Sequence, residues 1–108
     1  MEKFSLVAIA REQLKRAAAQ PARRSATTVY GGHEHKLRQT VLALSAGASL
    51  AEHESPGEAT LIVLSGHIRL TAEDAAWEGR TGDLLVVPQT RHGVYALEDS
   101  GFLLTVVK

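Results

Sequence analysis

Residues Gly47–Gly66 read GASLAEHESPGEATLIVLSG, and this stretch carries the most informative pattern in the chain. Five residues separate Gly47 from His53, and a turn at Pro56-Gly57 then leads into an apolar run that ends in Ser-Gly. A second stretch, Gly82–His92, reads GDLLVVPQTRH and again combines a turn glycine, an apolar run and a histidine. Short apolar runs between glycine and proline turns are typical of β-strands. Both stretches therefore predict strands that carry a histidine beside a turn.

The rest of the chain predicts one helix followed by strands. Ser5 is a suitable N-cap, apolar residues recur at helical spacing as far as Ala19, and Pro21 ends the pattern. About nine short strands follow, with turn residues and no helical segment between them, which favours an all-β sandwich or barrel. We divide the chain into a helix with its lead-in, residues 1–24, and a barrel, residues 25–108.

Composition excludes several classes of function. A chain of 108 residues is one domain, and 12 basic against 12 acidic residues give no broad basic face for nucleic acid. The absence of cysteine excludes disulfides, thiolate metal sites and a cysteine nucleophile. No stretch approaches the ~20 apolar residues of a membrane span, and the N-terminus does not resemble a secretory signal. We expect a cytoplasmic protein that binds neither nucleic acid nor a membrane.

The two stretches together resemble the two sequence motifs of the cupin superfamily. Gly47 and His53 match the opening of the first motif, and Gly82, Pro88 and His92 match the second. The resemblance extends roughly over residues 37–107. It implies a small antiparallel jelly-roll β-barrel, often dimeric, in which two or three histidines and a glutamate hold a divalent metal ion.

The first motif departs from the family pattern at two ligand positions. His53 matches the first ligand, but Ser55 stands in place of the second histidine and Ala59 in place of the glutamate. Glu58 is one residue away. Neighbouring side chains in a strand point to opposite faces, so Glu58 is expected to face outward unless a bulge at Pro56-Gly57 turns it inward.

Two metal ligands therefore remain, His53 and His92, and Glu58 is the alternative third. Two imidazoles alone make a weak site, since catalytic zinc keeps three protein ligands. We expect either no cofactor or a weakly bound divalent metal ion. The alternative is that both histidines are polar residues at the barrel mouth, hydrogen-bonded to each other, to Ser55 or to solvent.

The set of ligand-binding candidates depends on which side chains of the strand at residues 37–44 point into the barrel. If the turn at Ala46-Gly47 joins two paired strands, residues 38–41 lie opposite residues 53–55. Gln39 then faces inward beside His53, and Arg38 faces solvent or a partner subunit. A second His-x-His pair, His33 and His35, is either a surface feature or a further metal site. The ligand-binding candidates are Gln39, His53, Ser55 and His92.

Three functions compete on this sequence, and whether the protein is an enzyme is left open. The first is a small-molecule binder with a degraded metal site, accessory or non-catalytic. The second is a metal-dependent cupin enzyme, such as an isomerase, lyase or dioxygenase, that uses His53 and His92. The third is a regulatory or scaffolding domain that acts through its surface. The apolar runs at residues 60–64 and 84–87 exceed what one barrel face needs, which predicts a homodimer.

Overall fold

The helix lies where the sequence predicts it. In a computed structural model, which describes residues 1–54 and 57–108, helix α1 spans Leu6–Ala19. The hydroxyl of Ser5 caps it by accepting a hydrogen bond from the Ala8 backbone N–H at 3.3 Å. The chain becomes extended at Gln20, directly before Pro21. Within the described ranges no helix is long and apolar enough to cross a membrane.

The described part of the chain then forms nine strands, as the turn spacing predicts. Short turns and loops connect them, and no helix lies between them. The strands are β1 (Arg24–Tyr30), β2 (Leu37–Leu44), β3 (Ser49–His53), β4 (Glu58–Ser65), β5 (His67–Ala72), β6 (Ala75–Arg80), β7 (Leu84–Val87), β8 (His92–Ala96) and β9 (Ser100–Val107).

The strands form two antiparallel sheets that pack face to face. The larger sheet has the order β1-β2-β9-β4-β7, and the smaller has the order β3-β8-β5-β6. Alternate side chains of both sheets meet between them and form the main core. The predicted all-β architecture with a short N-terminal helix is confirmed. The largest fully buried side chains in this core are Phe102, Leu44, Leu61, Ile68 and Leu70.

Helix α1 covers part of the outer face of the five-stranded sheet. Its buried Ala10 packs in a second cluster with Val41 of β2 and Leu103 of β9. A buried side chain on the same face of α1, Gln13, accepts a hydrogen bond from the Ser25 hydroxyl of β1. The helix is therefore packed on the barrel through its own small apolar interface.

The remaining outer face of this sheet is uncovered. Val86 of β7 is 73% exposed and Leu84 is 55% exposed, although both are apolar. Ile62 of β4 lies opposite Leu84 and shares its face. We call Ile62, Leu84 and Val86 the uncovered patch. Single exposed apolar residues are ordinary, but a contiguous group at a sheet edge is not.

Candidate functional site

His53 and His92 come together at one end of the smaller sheet. They are paired residues of β3 and β8, and their ring centroids lie 4.6 Å apart with the planes inclined at 61°. His92 is buried and alternates along β8 with Val94 and Ala96, which belong to the main core. Both rings therefore face the barrel interior, and the more exposed His53 lies at the mouth.

Each ring is oriented by a backbone carbonyl of its own chain segment. The Nδ1 atom of His53 lies 3.1 Å from the Ala51 carbonyl oxygen, and the Nδ1 atom of His92 lies 2.9 Å from that of Thr90. A carbonyl oxygen only accepts hydrogen bonds, so Nδ1 is the donor in both rings. A neutral imidazole then carries its lone pair on Nε2, the form that ligates metals or accepts from a ligand.

The described residues supply no third metal ligand beside this pair. Ala59 packs in the main core, and Glu58 is exposed on the opposite face of β4, where it lies opposite Val107. The predicted ligand Ser55 lies outside the described residues. Within residues 1–54 and 57–108, no group of three or more histidine, cysteine, aspartate or glutamate side chains could hold a metal ion. The two imidazoles fit a divalent metal by donor chemistry, but not by the ligand number of the family.

Charged side chains next to the histidine pair form ion pairs with one another on the outer surface. The guanidinium of Arg91 lies 4.0 Å from a carboxylate oxygen of Glu52 and 3.6 Å from one of Glu54. All three side chains are more than half exposed, so these contacts contribute little to stability. They place carboxylates near β3 without turning them into the barrel.

The prediction that Gln39 lies beside His53 was wrong. The turn at Ala46-Gly47 does not join paired strands: β2 pairs with β1 and β9, whereas β3 pairs with β8 in the other sheet. Gln39 faces outward, and its Nε2 atom donates to the Thr105 hydroxyl at 3.3 Å. It lines a groove with Phe4, Tyr30 and Leu103 near the N-terminus.

Arg38 consequently faces the interior, not solvent or a partner subunit as predicted. It lies opposite Val106 of β9, which packs against the main core. Its Nε atom is buried, and among the described residues it has no hydrogen-bond partner. The sequence did carry a signal for this residue, because the first half of β2 is polar on both faces.

The second His-x-His pair is not brought together as a metal site within the described residues. The His35 ring stacks near Tyr30 with centroids 4.7 Å apart, and its Nε2 lies 3.5 Å from a carboxylate oxygen of Glu34. His33 is exposed and lines a separate cavity of about 410 Å³ with Arg38.

Comparison with known proteins agrees with this architecture. The sequence profile of the Cupin_2 family, described as a cupin domain, matches residues 40–108. The chain therefore belongs to the cupin domain family. The match begins within β2, so it covers the two histidines, the smaller sheet and most of the larger sheet, but neither α1 nor β1. No curated protein matches the chain.

Solved structures with the same fold include proteins of unknown function. A conserved protein of unknown function from Streptococcus pyogenes is 30% identical, with a TM-score of 0.73 over 82% of this chain and 77% of that one. An RmlC-like cupin protein from Desulfovibrio desulfuricans is 27% identical, with a TM-score of 0.68 over 78% and 81%. A cupin superfamily protein from Desulfitobacterium hafniense is 18% identical, with a TM-score of 0.71 over 78% and 76%, and shows the fold alone.

Proposed function

We propose that this protein is a small-molecule-binding cupin, accessory or non-catalytic, with its ligand at the barrel mouth formed by His53 and His92. The observation that carries this proposal is the shared orientation of the two rings. Each Nδ1 is directed to a backbone carbonyl, so each neutral ring has its acceptor lone pair on Nε2. A few polar groups beside an apolar core are the usual composition of a small-molecule site.

We further propose that the site holds no metal or only a weakly bound divalent ion. Two imidazoles give half the ligands of a four-coordinate zinc site. The nearest carboxylate along β4, that of Glu58, is on the outer face. Metal content measured after dialysis against a chelator tests this proposal. We expect well below one equivalent of zinc, iron, manganese or nickel, and a full equivalent would contradict it.

The alternative is a metal-dependent cupin enzyme of the isomerase, lyase or dioxygenase type. The ring orientation favours it too, because an Nδ1–H donated to a carbonyl is the usual arrangement of a metal-bound histidine. A divalent metal would act there by polarising a substrate oxygen. The same metal analysis decides between the two functions, with His53→Ala and His92→Ala expected to abolish retention and His35→Ala to leave it unchanged.

Ligand binding without metal is tested by nuclear magnetic resonance of the imidazole side chains. Screening a library of small metabolites against metal-free protein should give compounds that shift the ring signals of His53 and His92 together. The variant His92→Ala should lose those compounds, and His35→Ala should keep them. If no compound shifts either ring, the proposed site fails.

We also infer that two copies associate through the uncovered patch. Its apolar residues lie on the sheet edge that α1 leaves exposed, and a second copy would bury Leu84 and Val86. The net charge of zero offers no long-range repulsion between copies. The cytoplasmic location and the absence of nucleic-acid binding stay predictions from the sequence.

A further inference from the structure

A second polar feature lies on the inner face of the larger sheet. The cavity of about 410 Å³ is lined by Thr28, Gly31, Gly32, His33, Arg38 and Thr40. Its size falls within the range of small-molecule sites, about 300–1,000 Å³. None of its lining residues is acidic, and Arg38 is the one that carries a permanent positive charge.

The stem of Arg38 is held against the β1 side of this cavity. A Cβ atom at Gly31 would lie 3.3 Å from the Arg38 Cγ atom and 3.4 Å from the Thr28 methyl group. Gly31 has a φ of +151°, a backbone conformation that favours glycine, so a residue with a side chain is disfavoured at this position. The arginine therefore packs on backbone at this point, which restricts its freedom to leave the cavity.

The guanidinium has hydrogen-bonding capacity that the described residues do not use. The buried Nε–H lacks a partner among them, and none of the ion pairs within residues 1–54 and 57–108 involves Arg38. The nearest carboxylate to the Gly31-Gly32 turn, that of Glu34, is mostly exposed and contacts His35. A buried donor without a partner is costly, and a ligand that accepts from it removes that cost.

We propose that Arg38 anchors the carboxylate group of a small monocarboxylic acid. Nε–H and a neighbouring Nη–H form a planar fork that matches the two oxygens of a carboxylate. Thr28 and Thr40, which are paired residues of β1 and β2 and share the inner face, present hydroxyl donors beside the fork. One fixed positive charge balances one carboxylate, whereas a phosphate dianion calls for more cations.

Arg38 lies on the same row of the larger sheet as the family's glutamate position. Arg38 is opposite Val106, and Val106 is opposite Ala59, so two strand spacings of about 4.8 Å separate them. The cavity therefore opens at the same end of the barrel as the position where the family holds its metal. This inference rests on the proposed function, because it names the chemical class of the ligand.

The test is a titration of the ¹⁵N-labelled 108-residue protein with acetate, propionate and benzoate at constant ionic strength. We expect saturating shifts of the Arg38 Nε–H signal and of the Gly31 and Gly32 amides, with sodium chloride giving none. Arg38→Gln should weaken the affinity at least about tenfold. Arg38→Lys, which keeps the charge but not the fork, should also weaken it. Arg69→Gln on the outer face of the other sheet is the matched control and should change nothing.

Several outcomes would overturn the inference. Shifts that rise linearly, as with chloride, would show no site, and unchanged affinity in both Arg38 variants would exclude the anchor. If inorganic phosphate saturates the shifts at a lower concentration than any carboxylate does, the site prefers phosphate and the proposed ligand class is wrong. If a compound shifts only His53 and His92, this inference fails while the histidine site stands. If carboxylates shift Arg38 and no compound shifts the histidines, this inference holds while the histidine site fails.

Discussion

The Nε2 atom of His67 lies 2.7 Å from the Glu78 Oε1 atom, and this contact ties β5 to the edge strand β6 on the outer face of the smaller sheet. The second carboxylate oxygen of Glu78 accepts from Arg69 at 3.3 Å. The His67 side chain is largely buried, and its Nδ1 lies 3.9 Å from Glu98, which is also 4.0 Å from Arg80. The hydrogen bond from His67, followed by that from Arg69, lowers the pKa of Glu78 below its ordinary value of 4.5.

This contact predicts a stability difference that depends on pH. Because the pKa of Glu78 is lower in the folded state than in the unfolded state, its contribution is present above pH 4.5 and is lost as the pH falls through the folded value. Glu78→Gln should therefore lower the Tm at about pH 6, and the difference should shrink toward about pH 3. Thermal unfolding monitored by circular dichroism measures it. Glu73→Gln in the exposed β5–β6 turn is the control, and an equal effect from both variants would contradict the prediction.

In the tight turn between β4 and β5, substitution of the glycine should lower the stability of the fold strongly. Gly66 has a φ of +96°, and a Cβ there would lie 2.4 Å from both the Asp99 carbonyl oxygen and the Ser100 hydroxyl. Gly82 has a similar φ of +91° but open space around it. Gly66→Ala should lower the free energy of unfolding by about 3 kcal/mol or more, and Gly82→Ala by about 1 kcal/mol. Urea denaturation of both variants compares them, and equal losses would exclude the close approach as the cause.

The uncovered patch predicts the assembly state. Size-exclusion chromatography with light scattering should give twice the 11.6 kDa chain mass for the native protein at micromolar concentration. Val86→Lys should give the single-chain mass, because a lysine ammonium resists burial in an apolar interface. The control is Val7→Lys on α1, where the native side chain is also exposed, and it should leave the mass unchanged. A single-chain mass for the native protein would refute the dimer.

Restoring the family's carboxylate should strengthen metal binding. Ala59 stands at the glutamate position of the first motif and is buried in the core. Ala59→Glu should lower the Tm without metal, because a buried carboxylate lacks compensation, and zinc or nickel should raise the Tm again. Combining it with Ser55→His should raise the affinity further. Ala59→Gln has the same size without the charge, so its Tm should not respond to metal, and a metal-independent Tm in Ala59→Glu would contradict the prediction.

The positions and number of the strands could be predicted from sequence because turns and apolar runs are local signals. Strands β2 and β7 begin and end where the sequence indicates. The pairing of His53 with His92 followed from the two motifs of the family. The sequence could not show which residues of β2 face the barrel interior. Its outer residues Val41 and Ala43 are buried under α1, and their apolar side chains are typical of core positions.

That helix is why Gln39 and Arg38 were assigned to the wrong faces. A strand covered on both sides loses the alternation that marks its inner face. Only the sheet pairing separates the two faces, and the partner of β2 across the sheet, β9, lies about sixty residues further along the chain. A pairing between strands so far apart in the sequence leaves no local pattern from which the inner face of β2 could be predicted.

The packing of α1 also means that the unit that folds is longer than the segment that the family shares. A chain that begins at residue 40 would lose α1, β1 and the start of β2, leave the rest of β2 as an open edge strand, and expose Val41 and Leu103 to water. Fragments trimmed to the family boundary should therefore aggregate. β1 is part of the barrel wall and α1 covers the outer face of that wall, so any fragment used for binding studies should begin before Ser5.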